Sequence, residues 1–133
     1  MKILKKDLEL IELAKQVVRD NCDIYENKAL HVGCVVRAKS GKIYKGVNLK
    51  TSHSVCAEQV AIGQAFACGE RELDTIVAVK MYDNGEIGVT SPCGLCRYIF
   101  NKFGLNMNVI VLDKKSKILK VKAEELLPFP YKR

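Results

Sequence analysis

The chain has 133 residues, 48% of them hydrophobic and 28% charged, with 22 Lys and Arg against 15 Asp and Glu for a formal charge of +7. That length and balance exclude a disordered chain and predict a single domain over residues 1–133 with its own core. The longest apolar runs, such as Val109-Ile110-Val111-Leu112, fall far short of the roughly 20 residues a membrane span needs, so no membrane partner is expected.

Leu4, Leu8, Ile11, Ala14 and Val18 recur at helical spacing and predict an amphipathic helix over residues 4–20. His31 to Ala38 is valine-rich and predicts a strand. A turn through Gly41 returns the chain as a second strand, Ile43 to Val47. Residues 48–55 are polar and read as a loop. A second helix spans 56–68 and ends at Gly69. Ile76 to Val79 is a continuous apolar run typical of a buried strand, and residues 83–86 form a turn. Ser91-Pro92 lead into a helix over 93–103. Strands follow at 109–112 and 118–121, then a short helix over 123–127 stopped by Pro128. Strands alternating with helices predict an α/β domain in which helices cover a mixed five-stranded sheet.

The excess positive charge sits at the termini and in the cluster Lys114, Lys115, Lys117, Lys120 and Lys122, with no tryptophan and few aromatics interleaved. That distribution predicts a solvated lysine-rich rim rather than a nucleic-acid footprint, and no nucleic-acid partner is expected. With no secretory signal visible, the six cysteines point to a reducing, cytoplasmic setting, where clustered thiols bind metal or do chemistry. Cys22, Cys34 and Cys68 read as buried apolar fillers. Cys56, Cys93 and Cys96 are different. Cys93 and Cys96 lie one helical turn apart at a helix start, and Cys56 opens another helix. Two helix N-termini can thus aim at one point, each favouring thiolate. Three thiolates favour Zn²⁺, one ion per chain, and leave a fourth position open for water. Glu58, two residues past Cys56, is placed for general acid/base work. Arg97, beside Cys96, can balance the surplus negative charge.

Taken alone, the Cys93-x-x-Cys96 pair also suits a redox couple, or a closed structural zinc site with His53 or Cys34 as fourth ligand. Glu58 taken alone is an ordinary first-turn acid. The combination of Cys56-Ala57-Glu58 with Pro92-Cys93-Gly94-Leu95-Cys96 instead matches the general zinc-deaminase signature.

Together with Val32-Gly33, Gly46-Val47-Asn48 and Glu125-Leu126-Leu127-Pro128, these motifs resemble the small free-standing cytidine deaminases and blasticidin S deaminase over nearly the whole chain. The resemblance implies a three-layer α/β/α fold, a homotetramer, and hydrolytic deamination of a small nucleoside-like substrate, with Glu58 moving protons. It implies that backbone near Ala57, Ser91 and Cys93 holds the pyrimidine edge, that Asn48 meets the ribose, and that Tyr131 reaches a neighbouring subunit's site. Cys56, where nucleic-acid-editing relatives carry His, points to a free small molecule. The chain departs from the cytidine deaminase pattern at five points, one of them Tyr131 in place of phenylalanine, as in the blasticidin S type. Lys50 stands where the resemblance calls for an acid, Leu30 where it calls for a stacking phenylalanine, and Gln59 where arginine is common, while the segment from Asn48 to Cys56 is short. Lys50 then reads either as an anion-binding cation or as a solvated one. His53, in the shortened loop, reads either as a substrate contact or as an exposed loop histidine.

Overall fold

The computed structural model describes residues 1–22 and 31–132. In chain order the elements are α1 (Lys5–Asn21), β1 (Val32–Ala38), β2 (Ile43–Val47), α2 (Ala57–Ala67), β3 (Leu73–Met81), β4 (Ile87–Thr90), α3 (Gly94–Phe103), β5 (Asn108–Leu112) and β6 (Ile118–Lys122). A 3₁₀ turn, Ala123–Leu126, follows.

The strands form one mixed six-stranded sheet in the order β2-β1-β3-β5-β6, with β4 paired to β3. All neighbours are antiparallel except β3 and β5, which run parallel through Thr75↔Asn108 and Ile76↔Val109. The crossover between those two carries α3, as a parallel connection requires. The expected five-strand count is therefore corrected to six. The extra strand, β4, has four residues, one of them Gly88, and pairs only with Ala78 to Met81. Too short for a periodic pattern, it is stabilised by the strand it returns to.

Side chains alternate across the sheet and split the core into two clusters. On one face Leu10, Ile11, Ala14, Val17 and Val18 of α1 pack on Val35, Val77, Val79 and Ile110. On the other, Ala57, Ala61, Cys96 and Phe100 of the α2 and α3 segments pack on Cys34, Val36, Ile76 and Ala78. Two glycines allow the helices this close. A Cβ on Gly33 would meet Val17 Cγ1 at 2.9 Å, and one on Gly46 would meet the Ala57 carbonyl at 2.5 Å.

The structure changes three readings of the sequence. Leu4 and Leu8 are exposed, and Asp7 takes the buried position at the start of α1. Its Oδ2 accepts the Leu4 amide at 2.8 Å and the Lys120 Nζ–H at 2.7 Å. Lys120 is consequently buried rather than part of a solvated rim. A charged pair can replace an apolar contact only because it is fully bonded. Cys22 and Cys34 are buried as expected, whereas Cys68 is exposed at the end of α2. Among the described residues, no helix is long and apolar enough to cross a membrane.

Candidate active site

Cys56 is the N-cap of α2 and Cys93 the N-cap of α3, both with extended backbone. Gly46 lets the start of α2 settle on β2, and the loop after β4 delivers Pro92-Cys93 to the same end of the sheet. The two helix N-termini thereby converge. The Sγ atoms of Cys56, Cys93 and Cys96 all lie within 4.8 Å of one another, with Cys56 and Cys93 3.7 Å apart. Tetrahedral sulfurs at the usual zinc–sulfur distance of about 2.3 Å stand about 3.8 Å apart, so this donor set fits zinc. Among the described residues the cluster has three members, and neither His53 nor Cys34 joins it. The alternative of a closed site with His53 or Cys34 as fourth ligand is therefore not seen in this cluster.

Electrostatics at the cluster are those of crowded acids, with Cys96 buried, Cys56 half-buried and Cys93 exposed. Burial pushes the Cys96 thiol well up, and Glu58 and the neighbouring thiols push it further. Burial also raises Cys56. Burial would raise Cys93 as well, but the Cys96 and Leu95 amides at the start of α3 and the adjacent thiols more than offset it, leaving Cys93 below its ordinary value. Glu58, on the first turn of α2, is 6% exposed. Burial raises its carboxyl above the usual range, against hydrogen bonds from its own amide and Cys96 that favour the ionised form. Among the described residues Glu58 forms no ion pair.

The cluster opens onto a cavity of about 320 Å³, a size suited to a small molecule. Of the residues singled out from sequence, Asn48, Lys50, Cys56, Ala57, Glu58, Ser91 and Cys93 line it. Asn48 also does structural work. Its Oδ1 accepts the His31 and Val32 amides, each at 2.9 Å, and ties the end of β2 to β1. The Ser91 hydroxyl is engaged with Leu112, accepting its amide at 3.0 Å and donating to its carbonyl at 3.2 Å. Ser91 therefore offers the cavity its backbone rather than its hydroxyl. Arg97 donates Nε–H to the Pro92 carbonyl at 2.9 Å and so braces the segment carrying Cys93.

Two of the residues singled out from sequence do not line this cavity. His53 is exposed, its ring beside the Ser52 hydroxyl at 3.2 Å, and it does not line the cavity. Tyr131 is 72% exposed and borders a separate hollow with Phe129 and Leu105. Leu30 lies outside the described residues. Conversely, His31, Val32, Ser54, Val55, Lys80 and Thr90 line the cavity without having been expected there. Ser54 and Val55 were legible as neighbours of Cys56, whereas Lys80 and Thr90 enter only through strand pairing.

A family model described as the cytidine and deoxycytidylate deaminase zinc-binding region matches residues 4–112. The chain is 36% identical over 138 aligned positions to a blasticidin-S deaminase of Bacillus cereus, covering 98% of this chain and 96% of that one. It is 38% identical over 77 positions to a cytidine deaminase of Shewanella sediminis (strain HAW-EB3), spanning 54% of this chain but only 23% of that longer protein. Its fold superposes on a crystal structure of cytidine deaminase from Burkholderia pseudomallei with a TM-score of 0.74 at 28% identity, covering 93% and 98% of the two chains.

Proposed function

The chain belongs to the cytidine and deoxycytidylate deaminase family, and from that premise we propose that it is a zinc-dependent hydrolytic deaminase of cytidine, deoxycytidine or a closely related cytosine nucleoside. The observation that carries this reading is a buried carboxylate, Glu58, sharing a small-molecule cavity with a three-sulfur cluster.

Cys56, Cys93 and Cys96 would hold the zinc. When bound, zinc supplies Lewis-acid activation of water at neutral pH. Glu58 accepts the two protons of the attacking water in turn, delivering one to the ring nitrogen and the other to the departing amine. Water oxygen adds at the amino-bearing carbon, the carbon–nitrogen bond breaks, and ammonia leaves. A carboxyl held above its usual range by burial suits a group that must both take and return a proton. Backbone at Ala57, Ser91 and Cys93 faces the base edge, and Asn48 the sugar. Pro92 and Arg97 keep Cys93 in place.

A second reading is a blasticidin S-type substrate. Identity to the Bacillus cereus protein across almost the entire chain supports it, as does Lys50 in place of an acid. The wider setting we propose is a single cytoplasmic domain serving pyrimidine salvage or antibiotic detoxification. Six free thiols favour a reducing compartment. Exposed Phe129 and Tyr131 favour a homotetramer in which Tyr131 approaches a neighbouring copy, to be checked by light scattering.

The deciding experiment is ammonia release from cytidine, deoxycytidine, cytosine and blasticidin S, run on zinc-loaded protein beside Glu58→Ala. Turnover of one compound that disappears in the variant supports the deaminase. Zinc at one per chain with no turnover of any compound would keep the fold but remove the substrate assignment, leaving Lys50 and His53 as the clues to a different amine.

A further inference from the structure

The deaminase reading uses Asn48 and leaves His31 without a role. His31 immediately precedes β1 and borders the cavity together with Asn48. Its backbone is held on both sides. The amide donates to Asn48 Oδ1 at 2.9 Å, and the carbonyl accepts the Met81 amide of β3 at 2.9 Å. The ring therefore hangs from a fixed point. Its Nδ1 lies 3.2 Å from Asn48 Nδ2. Two residues 17 apart in the chain thus meet through backbone and side chain at once.

The roles in the side-chain contact are forced. Asn48 Oδ1 takes the amides of His31 and Val32, each at 2.9 Å, and an amide can only donate. The oxygen of the Asn48 carboxamide is thereby identified, and the group that faces His31 is its NH₂. That nitrogen donates and does not accept, so His31 Nδ1 is the acceptor. An accepting ring nitrogen carries no proton, which makes the ring the neutral tautomer protonated at Nε2. A carboxamide turns easily about its last torsion, where the energy wells are broad. Here two amides hold its oxygen and His31 holds its nitrogen, so the plane of the group is set from both ends. An imidazole supplies that acceptor without adding a negative charge beside Glu58, the one carboxylate among the described lining residues.

We propose that His31 is a positioning residue for substrate selection. Through Nδ1 it fixes the Asn48 carboxamide in the orientation that recognises the sugar, and so sets how strongly the site prefers a nucleoside over a free base. The proposal rests on the deaminase reading of the cavity, and it assigns the ring no substrate contact of its own.

Two isosteric replacements test it. Asparagine places an oxygen where His31 has Nδ1, whereas glutamine places its carboxamide where His31 has Nε2 and offers nothing at Nδ1. Zinc-loaded Glu58→Gln protein is titrated calorimetrically with cytidine and with cytosine, which lacks the sugar. Adding His31→Gln is expected to weaken cytidine about tenfold, the scale of one hydrogen bond, and to leave cytosine unchanged. Adding His31→Asn instead should keep the preference for cytidine. In an Asn48→Ala background His31→Gln should have no further effect, because its route to the sugar is already gone. Equal losses for cytidine and cytosine, rescue by glutamine rather than asparagine, independent effects of the two residues, or no preference for cytidine before substitution would overturn the role.

A second measurement leaves His31 in place. The chain has two histidines, and nitrogen-15 NMR of their rings reads the tautomer directly, with His53→Gln assigning the signals. Zinc-loaded protein should show His31 protonated at Nε2 alone, and a ring protonated at Nδ1 would overturn the proposal. Ammonia release by the unsubstituted chain is scored separately. The expected tautomer and cytidine loss without turnover would defeat the deaminase reading and leave the role of His31 standing.

Discussion

The two faces of the sheet handle buried charge in opposite ways. On the α1 side, Asp7 is 0% exposed and both its oxygens are engaged, Oδ2 with Lys120 Nζ at 2.7 Å and the Leu4 amide at 2.8 Å, and Oδ1 with Arg37 Nη2 at 3.5 Å. Arg37 also bonds Asp74 at 2.9 Å, and Lys39 reaches the same carboxylate at 3.4 Å. This network ties the start of α1 to β1, β3 and the edge strand β6. On the α2 and α3 side, Glu58 is buried with no cation paired to it among the described residues, beside three sulfurs. Buried charge that is satisfied holds a fold together. Buried charge left without a counter-charge is retained at a cost, and function is the usual reason.

Breaking the comparison from the catalytic side should have the largest effect. Glu58→Gln keeps the size of the side chain and removes the proton carrier. Deamination is expected to fall about 10²–10⁴-fold. Zinc content measured by atomic absorption should stay at one per chain, and a matching loss of metal would reassign Glu58 to holding the ion. Cys96→Ser acts on the metal instead. Zinc content should drop below one per chain, activity with it, and the melting temperature should fall. Chelator treatment of the parent should lower the melting temperature in the same direction, since a ligand at 100 times its Kd contributes about 2.7 kcal/mol.

On the α1 side, substitution should change stability and spare the chemistry. Asp7→Asn leaves Lys120 buried without its counter-charge, a lesion worth about 3–5 kcal/mol in urea unfolding. The double variant Asp7→Leu with Lys120→Met should recover much of that loss. A double variant as unstable as the single one would mean that the pair contributes through shape rather than charge.

The smallest expected effect is on acid stability. Burial pushes the Asp7 carboxyl up, but the bonds from Lys120, Leu4 and Arg37 outweigh it and hold Asp7 below the ordinary carboxylate value. Asp74 is likewise held down by Arg37, Thr75 and Lys39 against the opposing effect of burial. A carboxyl depressed in the folded state contributes stability that is complete above its unfolded pKa of about 3.9 and is lost as pH falls through the folded value. Stability should therefore drop below about pH 4, and less steeply in Asp7→Asn, as followed by urea midpoints across pH.

Chemistry was legible wherever it depends on spacing along the chain. Cys56 and Glu58 share the first turn of one helix, and Cys93 and Cys96 one turn of another. A helix turn is a local object, so these relations survive without knowledge of the fold. The start of α1 shows the limit. Leu4 and Leu8 fit the apolar stripe as well as Ile11 and Val18 do, yet they face solvent while Asp7 turns inward. That choice depends on Lys120, 113 residues away. Likewise β4 exists because β3 offers it four pairing positions, not because Ile87–Thr90 has a pattern of its own.

By itself the sequence determined which three cysteines could hold a metal, the acid beside them, the order of nearly all the elements and the layered fold class, because helix caps, turns and hydrophobic periods are set by neighbours within a few residues. Only the tertiary structure decided that the two helix starts meet, that Lys120 is buried against Asp7, and that Lys80 joins Lys50 at the cavity. Those facts follow from strand order and register, which bring residues far apart in the chain onto one line. Lys80 is as much a surface lysine as Lys120 until the sheet assigns each of them a face.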